Sequence, residues 1–162
     1  PDCMTARANG ESVDIRSPDT TRPWQHVLEP LSGYLSLGAE LSMNRELHGE
    51  AYNFGPPPHQ NHTVRDLIDE MNNFWNSVLW NDTSNSQDHP HEAGLLKLNC
   101  DKALFDLKWH PTLKFMETVR MTVEWYQQYY QNRMQSMYEF TMSQIEAYTK
   151  LASERELLWA VE

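Results

Sequence analysis

The sequence predicts a mixed α/β fold, and three observations carry that prediction. Val13 and Ile15 alternate with polar neighbours between Ser12 and Arg16, the period-two pattern of a half-buried strand. Val64, Leu67, Ile68, Met71 and Trp75 recur at helical spacing, as do Met116, Val119, Val123, Tyr126 and Tyr130. Glycine, proline and asparagine punctuate the intervals, so strands and helices interleave along the chain rather than segregate.

Taken in order, residues 2–9 fit the close of a helix stopped by Gly10. The strand at Ser12 to Arg16 follows, then a turn over 17–21 around Pro18-Asp19. Trp24 to Val27 reads as a second extended piece. A helix is predicted from about Pro30 to Asn44, with Leu31, Tyr34, Leu35 and Leu41 on its buried face. Ala51 to Gly55 reads as a strand ended by Gly55 and the run Pro56-Pro57-Pro58. Thr63-x-x-Asp66 is close to a capping box and opens the helix that carries Val64 to Trp75. Residues 81–91 are polar and read as an exposed loop, and Leu95 to Leu98 as a strand. Asn99 is placed to cap a short helix containing Ala103, Leu104 and Leu107. Pro111-Thr112 restarts the chain into the helix of Met116 to Tyr130. A last helix is predicted from Thr141, with Gln144 three residues on and Met142, Ile145 and Leu151 as its apolar side.

A chain of 162 residues with 40% hydrophobic and 22% charged residues suits one soluble domain with a sizeable core. Its formal net charge of −10 repels nucleic-acid backbones, so generic nucleic-acid binding is not expected. A single nucleotide remains compatible, because one or two placed Arg residues override a global field. The sequence holds no apolar run of about 18 residues, so no membrane partner is expected. Cys3 and Cys100 read as free thiols of a reducing, cytoplasmic compartment.

The chemistry-bearing residues are few. Arg22 leaves the 17–21 turn with a planar five-donor fork that suits a pyrophosphate. Its bland alternative is a surface ion pair with Asp19 or Glu29. Arg16 is a second candidate for a phosphate or ribose. His89-Pro90-His91-Glu92 has no further His or Cys at ligand spacing, so no metal is assigned, and a solvated loop is its plain reading. His26 is expected to pack in the interior. No Gly-rich dinucleotide loop is present and no Tyr is followed four residues later by Lys, so no catalytic residue is assigned.

The run Arg22-Pro23-Trp24-Gln25-His26-Val27-Leu28-Glu29-Pro30-Leu31-Ser32-Gly33-Tyr34-Leu35 resembles a signature of the CDP-glucose 4,6-dehydratases, within the extended short-chain dehydrogenase/reductase family. Leu96-Lys97-Leu98-Asn99-Cys100, Asp101-Lys102-Ala103 through Trp109 and Pro111, and Phe140-Thr141 through Tyr148 are similar to later segments of the same enzymes. Gly94-Leu95 departs from the family's usual His-Tyr. The resemblance implies the C-terminal, sugar-nucleotide-binding portion of a Rossmann-type fold. It implies that residues 1–152 form the binding part, with an edge strand and helix of the dinucleotide sheet, and that 153–162 are a tail. By the same resemblance the parent enzyme is an NAD-dependent lyase making CDP-4-keto-6-deoxyglucose from CDP-glucose, a homodimer whose NAD is held by an N-terminal part missing here. Arg22 is then expected on the phosphates, with His89 and Glu92 as further ligand contacts. The alternatives are a GDP- or dTDP-sugar enzyme, or a non-catalytic remnant that only binds.

Overall fold

A computed structural model describes residues 1–75, 78–85, 94–132 and 136–160. Helix α1, Asp2–Asn9, stops at Gly10, whose φ of 72° lets its N–H turn back to the Ala6 and Arg7 carbonyls. Only a residue at ease in the left-handed region closes a helix this way without strain. The reversal starts β1, Ser12–Ile15, which pairs in parallel with β4, Leu79–Asp82, in the register Val13 to Trp80 and Ile15 to Asp82. Asn81 and Asp82 therefore complete a strand rather than open the predicted 81–91 loop, whose residues 86–91 lie outside the described residues.

After the Pro18-Asp19 turn comes β2, Thr21–Arg22, antiparallel to β3, His62–Thr63. Among the described residues these two pairs make up the sheet content. The extended piece expected at Trp24 to Val27 forms no strand. Side chains fasten it instead: Trp24 Nε1 donates to the His62 carbonyl at 3.0 Å and Gln25 Nε2 to the Phe54 carbonyl at 3.1 Å. Neither Ala51 to Gly55 nor Leu95 to Leu98 is a strand. Their apolar residues serve packing, with Phe54 edge-on to Trp109 at 5.0 Å and Gly55 lying so close to Leu98 that a Cβ would come within 2.8 Å of it.

Helix α2, Leu28–Met43, begins two residues before its predicted start and turns its face the other way. Glu29, Ser32 and Gly33 are buried, while Leu31, Tyr34 and Leu35 are 45%, 59% and 77% exposed. Of the predicted face, Leu41 packs inward, and the half-exposed Tyr34 ring meets Phe54 edge-on at 5.5 Å. The inversion has two causes: Glu29 finds backbone donors in the interior, and Gly33 admits the Phe54 ring, which a Cβ there would meet at 2.2 Å.

Helix α3, Val64–Phe74, opens with the predicted box, Asp66 N–H donating to Thr63 Oγ1 at 3.0 Å and Thr63 N–H to Asp66 Oδ2 at 2.8 Å. Ahead of α4, Asp101–Leu107, the Asn99 side chain accepts from the Asp101 N–H at 2.9 Å. Helix α5 is Phe115–Gln131, and α6, Met137–Glu154, starts four residues before the predicted Thr141 because Ser136 accepts from Glu139 N–H. Gln144 is consequently mid-helix. It is buried and donates to the Met121 carbonyl at 2.8 Å, with Tyr148 and Ala152 beside it, while Met142 faces outward.

Apolar packing falls into three clusters. Met4, Ile68, Met71, Trp75, Val119 and Val123 join α1, α3 and α5. Phe54, Ala103, Leu107 and Trp109 fill the space beneath α2, with Trp109 1% exposed. Leu113, Met121 and Tyr148 close the α5–α6 seam. Mixed helices and short strands make the class α/β, as expected.

Candidate functional site

The site is built on the turn between β1 and β2. Arg16 sits exposed at the bend where β1 ends, and Arg22 half-buried on β2, one on each side of that turn. Arg65 staples the turn to α3: its N–H donates to the Pro18 carbonyl, its Nε lies 3.1 Å from Asp19 Oδ1, and its guanidinium lies over Trp80. Asp19 is thus engaged by Arg65, and Glu29 is turned into the interior, so both acids proposed as plain surface partners of Arg22 are bound elsewhere. Arg22 Nη1 donates to the Thr21 carbonyl at 2.9 Å.

His89 and Glu92 lie outside the described residues, but both approaches to their segment are fixed. At one end, Thr83 N–H donates to the Ile15 carbonyl at 3.0 Å, next to Arg16. At the other, the Gly94 carbonyl accepts from Thr21 N–H at 3.1 Å and from Thr21 Oγ1 at 3.3 Å, next to Arg22. Thr83, before that segment, and Gly94, after it, are therefore held next to the two candidate arginines.

Behind Arg22, the run Trp24 to Ser32 forms a polar keystone that sequence reasoning missed. Glu29, 1% exposed, accepts from Thr112 N–H at 2.9 and 3.0 Å, from Leu113 N–H at 2.6 Å and from Tyr148 Oη at 2.9 Å. Ser32 Oγ accepts from Trp109 Nε1 at 2.9 Å and lies 3.0 Å from Tyr148 Oη. One carboxylate thus ties α2 to the α4–α5 connector and to α6. Burial pushes the Glu29 carboxyl above its ordinary value, against the pull of its backbone donors. Burial likewise pushes the Tyr148 phenol up, reinforced by the Glu29 charge. The signal in the sequence was Glu29 among the apolar residues Val27, Leu28, Pro30 and Leu31.

His26 is buried, as expected, and its Nδ1 accepts from Leu28 N–H at 3.3 Å. Burial lowers its pKa from 6.5 to about 4. A base whose folded pKa is depressed lends stability that is complete above the unfolded value and is lost as pH falls through the folded one. Acidification from 6.5 through 4 should therefore cost roughly 3 kcal/mol through this residue. Thermal melts of wild type and His26→Gln across that window check it. The variant should lose less stability on acidification, and equal losses would remove His26 from the account.

No protein-family model matches the chain. Over 127 residues, 78% of its length, it is 40% identical to CDP-glucose 4,6-dehydratase from Salmonella typhimurium strain LT2. The chain resembles the CDP-glucose 4,6-dehydratases. The match takes in 35% of the Salmonella dehydratase, so the chain spans about a third of the length of the curated relative it matches. The likeness covers most of this chain. The structure gives the run from Arg22 to Leu35 a physical meaning: Trp24, Gln25, His26, Glu29, Ser32 and Gly33 are each fixed by the hydrogen bonds or close packing described above.

Proposed function

We propose that the chain is the nucleotide-sugar-binding part of an NAD-dependent CDP-glucose 4,6-dehydratase, a lyase of the extended short-chain dehydrogenase type with a Rossmann-type dinucleotide domain. Residues 1–152 hold the ligand and 153–162 form a tail. Arg22 takes the diphosphate, Arg16 a phosphate or ribose, and His89 and Glu92 contact the ligand from the segment between Asn85 and Gly94. The observation that carries this reading is the 40% identity to the Salmonella dehydratase over 127 residues. The bonds that hold Thr83 next to Arg16 and Gly94 next to Arg22 support it.

The residues present do not fit NAD. The six glycines at 10, 33, 38, 49, 55 and 94 nowhere form G-x-G-x-x-G, and no Tyr stands four residues before a Lys. We therefore assign hydride chemistry to a part of the enzyme outside this chain. In our reading the complete enzyme is a cytoplasmic homodimer. No helix among the described residues is long and apolar enough to cross a membrane. Leu31, Tyr34 and Leu35, exposed along α2, form the face we expect the rest of the enzyme to cover.

The test is direct binding of CDP-glucose, followed by saturation-transfer NMR. Cytidine and glucose protons should both receive saturation from the chain. Failure of either moiety to do so contradicts a site that takes the whole nucleotide sugar.

A further inference from the structure

A cavity of about 620 Å³ opens at the first turn of α5 and is lined without Arg22. Its floor is the His62 ring lying flat on Phe115, with centroids 3.7 Å apart and planes 10° from parallel. Lys114 and Arg120 stand on its wall. Arg120 has an exposed i,i+4 partner, Glu124, at 3.9 Å, a contact too long and solvated to neutralise it.

Glu117 is the acid on the lining among the described residues. It is already committed: Arg155 grips it bidentately at 2.6 and 3.0 Å, and the Lys114 N–H donates to it at 2.7 Å. Burial alone would raise its carboxyl; Arg155 and that N–H outweigh it and hold the group below its ordinary value. Asp66, the acid that interacts with His62 from α3, is likewise spent on the Thr63 N–H. Lys114 and Arg120 therefore remain as local positive charge in a chain whose formal net charge is −10. The amino end of a 17-residue helix adds its dipole in the same sense.

We propose that this cavity is a second anion subsite that takes a phosphorylated small molecule, its phosphoryl oxygens on Lys114 and Arg120 and its planar portion against the His62–Phe115 floor. The subsite stands independently of the role given to Arg22. His62 is nevertheless the cross-strand partner of Arg22 in the β2–β3 ladder, which sets the two side chains on one face of that ribbon.

The experiment titrates inorganic pyrophosphate, phosphate and CMP into the full chain by amide NMR, with wild type, the double variant Lys114→Ala/Arg120→Ala, and Arg22→Ala. Pyrophosphate should shift the Phe115 and Met116 amides, and the double variant should bind it about tenfold more weakly with an unchanged melting temperature. Arg22→Ala should leave those shifts in place. Absence of binding, or binding unaffected by the double variant, overturns the subsite. Loss only in Arg22→Ala also overturns it, while leaving the reading of Arg22 intact. CMP should bind more tightly than phosphate, and equal affinities overturn the part given to the aromatic floor.

Discussion

Replacing Arg22 by Ala should weaken CDP-glucose binding by about 2–5 kcal/mol, roughly 30-fold or more, the cost of leaving a buried diphosphate without its charged partner. Two features of the fold make the expectation specific. The β2–β3 pair and the Trp24 bond to the His62 carbonyl fix the Arg22 backbone, so its fork is presented from a rigid element. Of the two acids near it in sequence, Asp19 is held by Arg65 and Glu29 is turned into the interior. Arg22→Lys should recover only part of the loss, because a point charge lacks the bidentate geometry. Isothermal titration of the three proteins measures it. Unchanged affinity in Arg22→Ala would remove the residue from the site.

Glu29→Ala should destabilise the fold by about 3–5 kcal/mol, since it strands the Thr112 and Leu113 amides and the Tyr148 hydroxyl in the interior. For a domain of this size that is a fall in melting temperature of about 10 °C. The pH dependence carries a sign of its own. A carboxyl whose folded pKa is raised lends stability that is fully present below the ordinary value of 4.5 and declines as pH rises through the folded pKa. Glu29→Gln should lack that decline while still being less stable than wild type, because its amide N–H₂ opposes backbone donors. Denaturant melts of wild type, Glu29→Ala and Glu29→Gln across this range decide it, and wild-type stability in the Ala variant would dismiss the keystone.

What was legible in the sequence is what local chemistry decides. Gly10 as a helix stop, the Thr63–Asp66 box and the helical spacing of Val64 to Met71 need only neighbours within a turn, and each is present. The face of α2 was illegible for the opposite reason. Leu31, Tyr34 and Leu35 make an apolar stripe, yet the helix is oriented by Glu29, whose backbone donors lie 83 and 84 residues away. The strands expected at Ala51 to Gly55 and Leu95 to Leu98 have the right residues, but a strand needs a pairing partner that composition does not reveal. At the site, Arg22 and Arg16 were legible as residue types. That Thr83 and Gly94 lie beside them rests on two long-range backbone bonds, Thr83 to Ile15 and Thr21 to Gly94, which no pattern in the chain announces. The His62–Phe115 floor joins residues 53 positions apart and was equally hidden.

Competition among CDP, GDP and dTDP for bound CDP-glucose decides whether this chain binds a cytidine-linked sugar nucleotide. CDP should displace the ligand at concentrations at least about tenfold lower than either rival, a preference of roughly 1.4 kcal/mol. Equal displacement by all three, or tighter binding of GDP or dTDP, would contradict it.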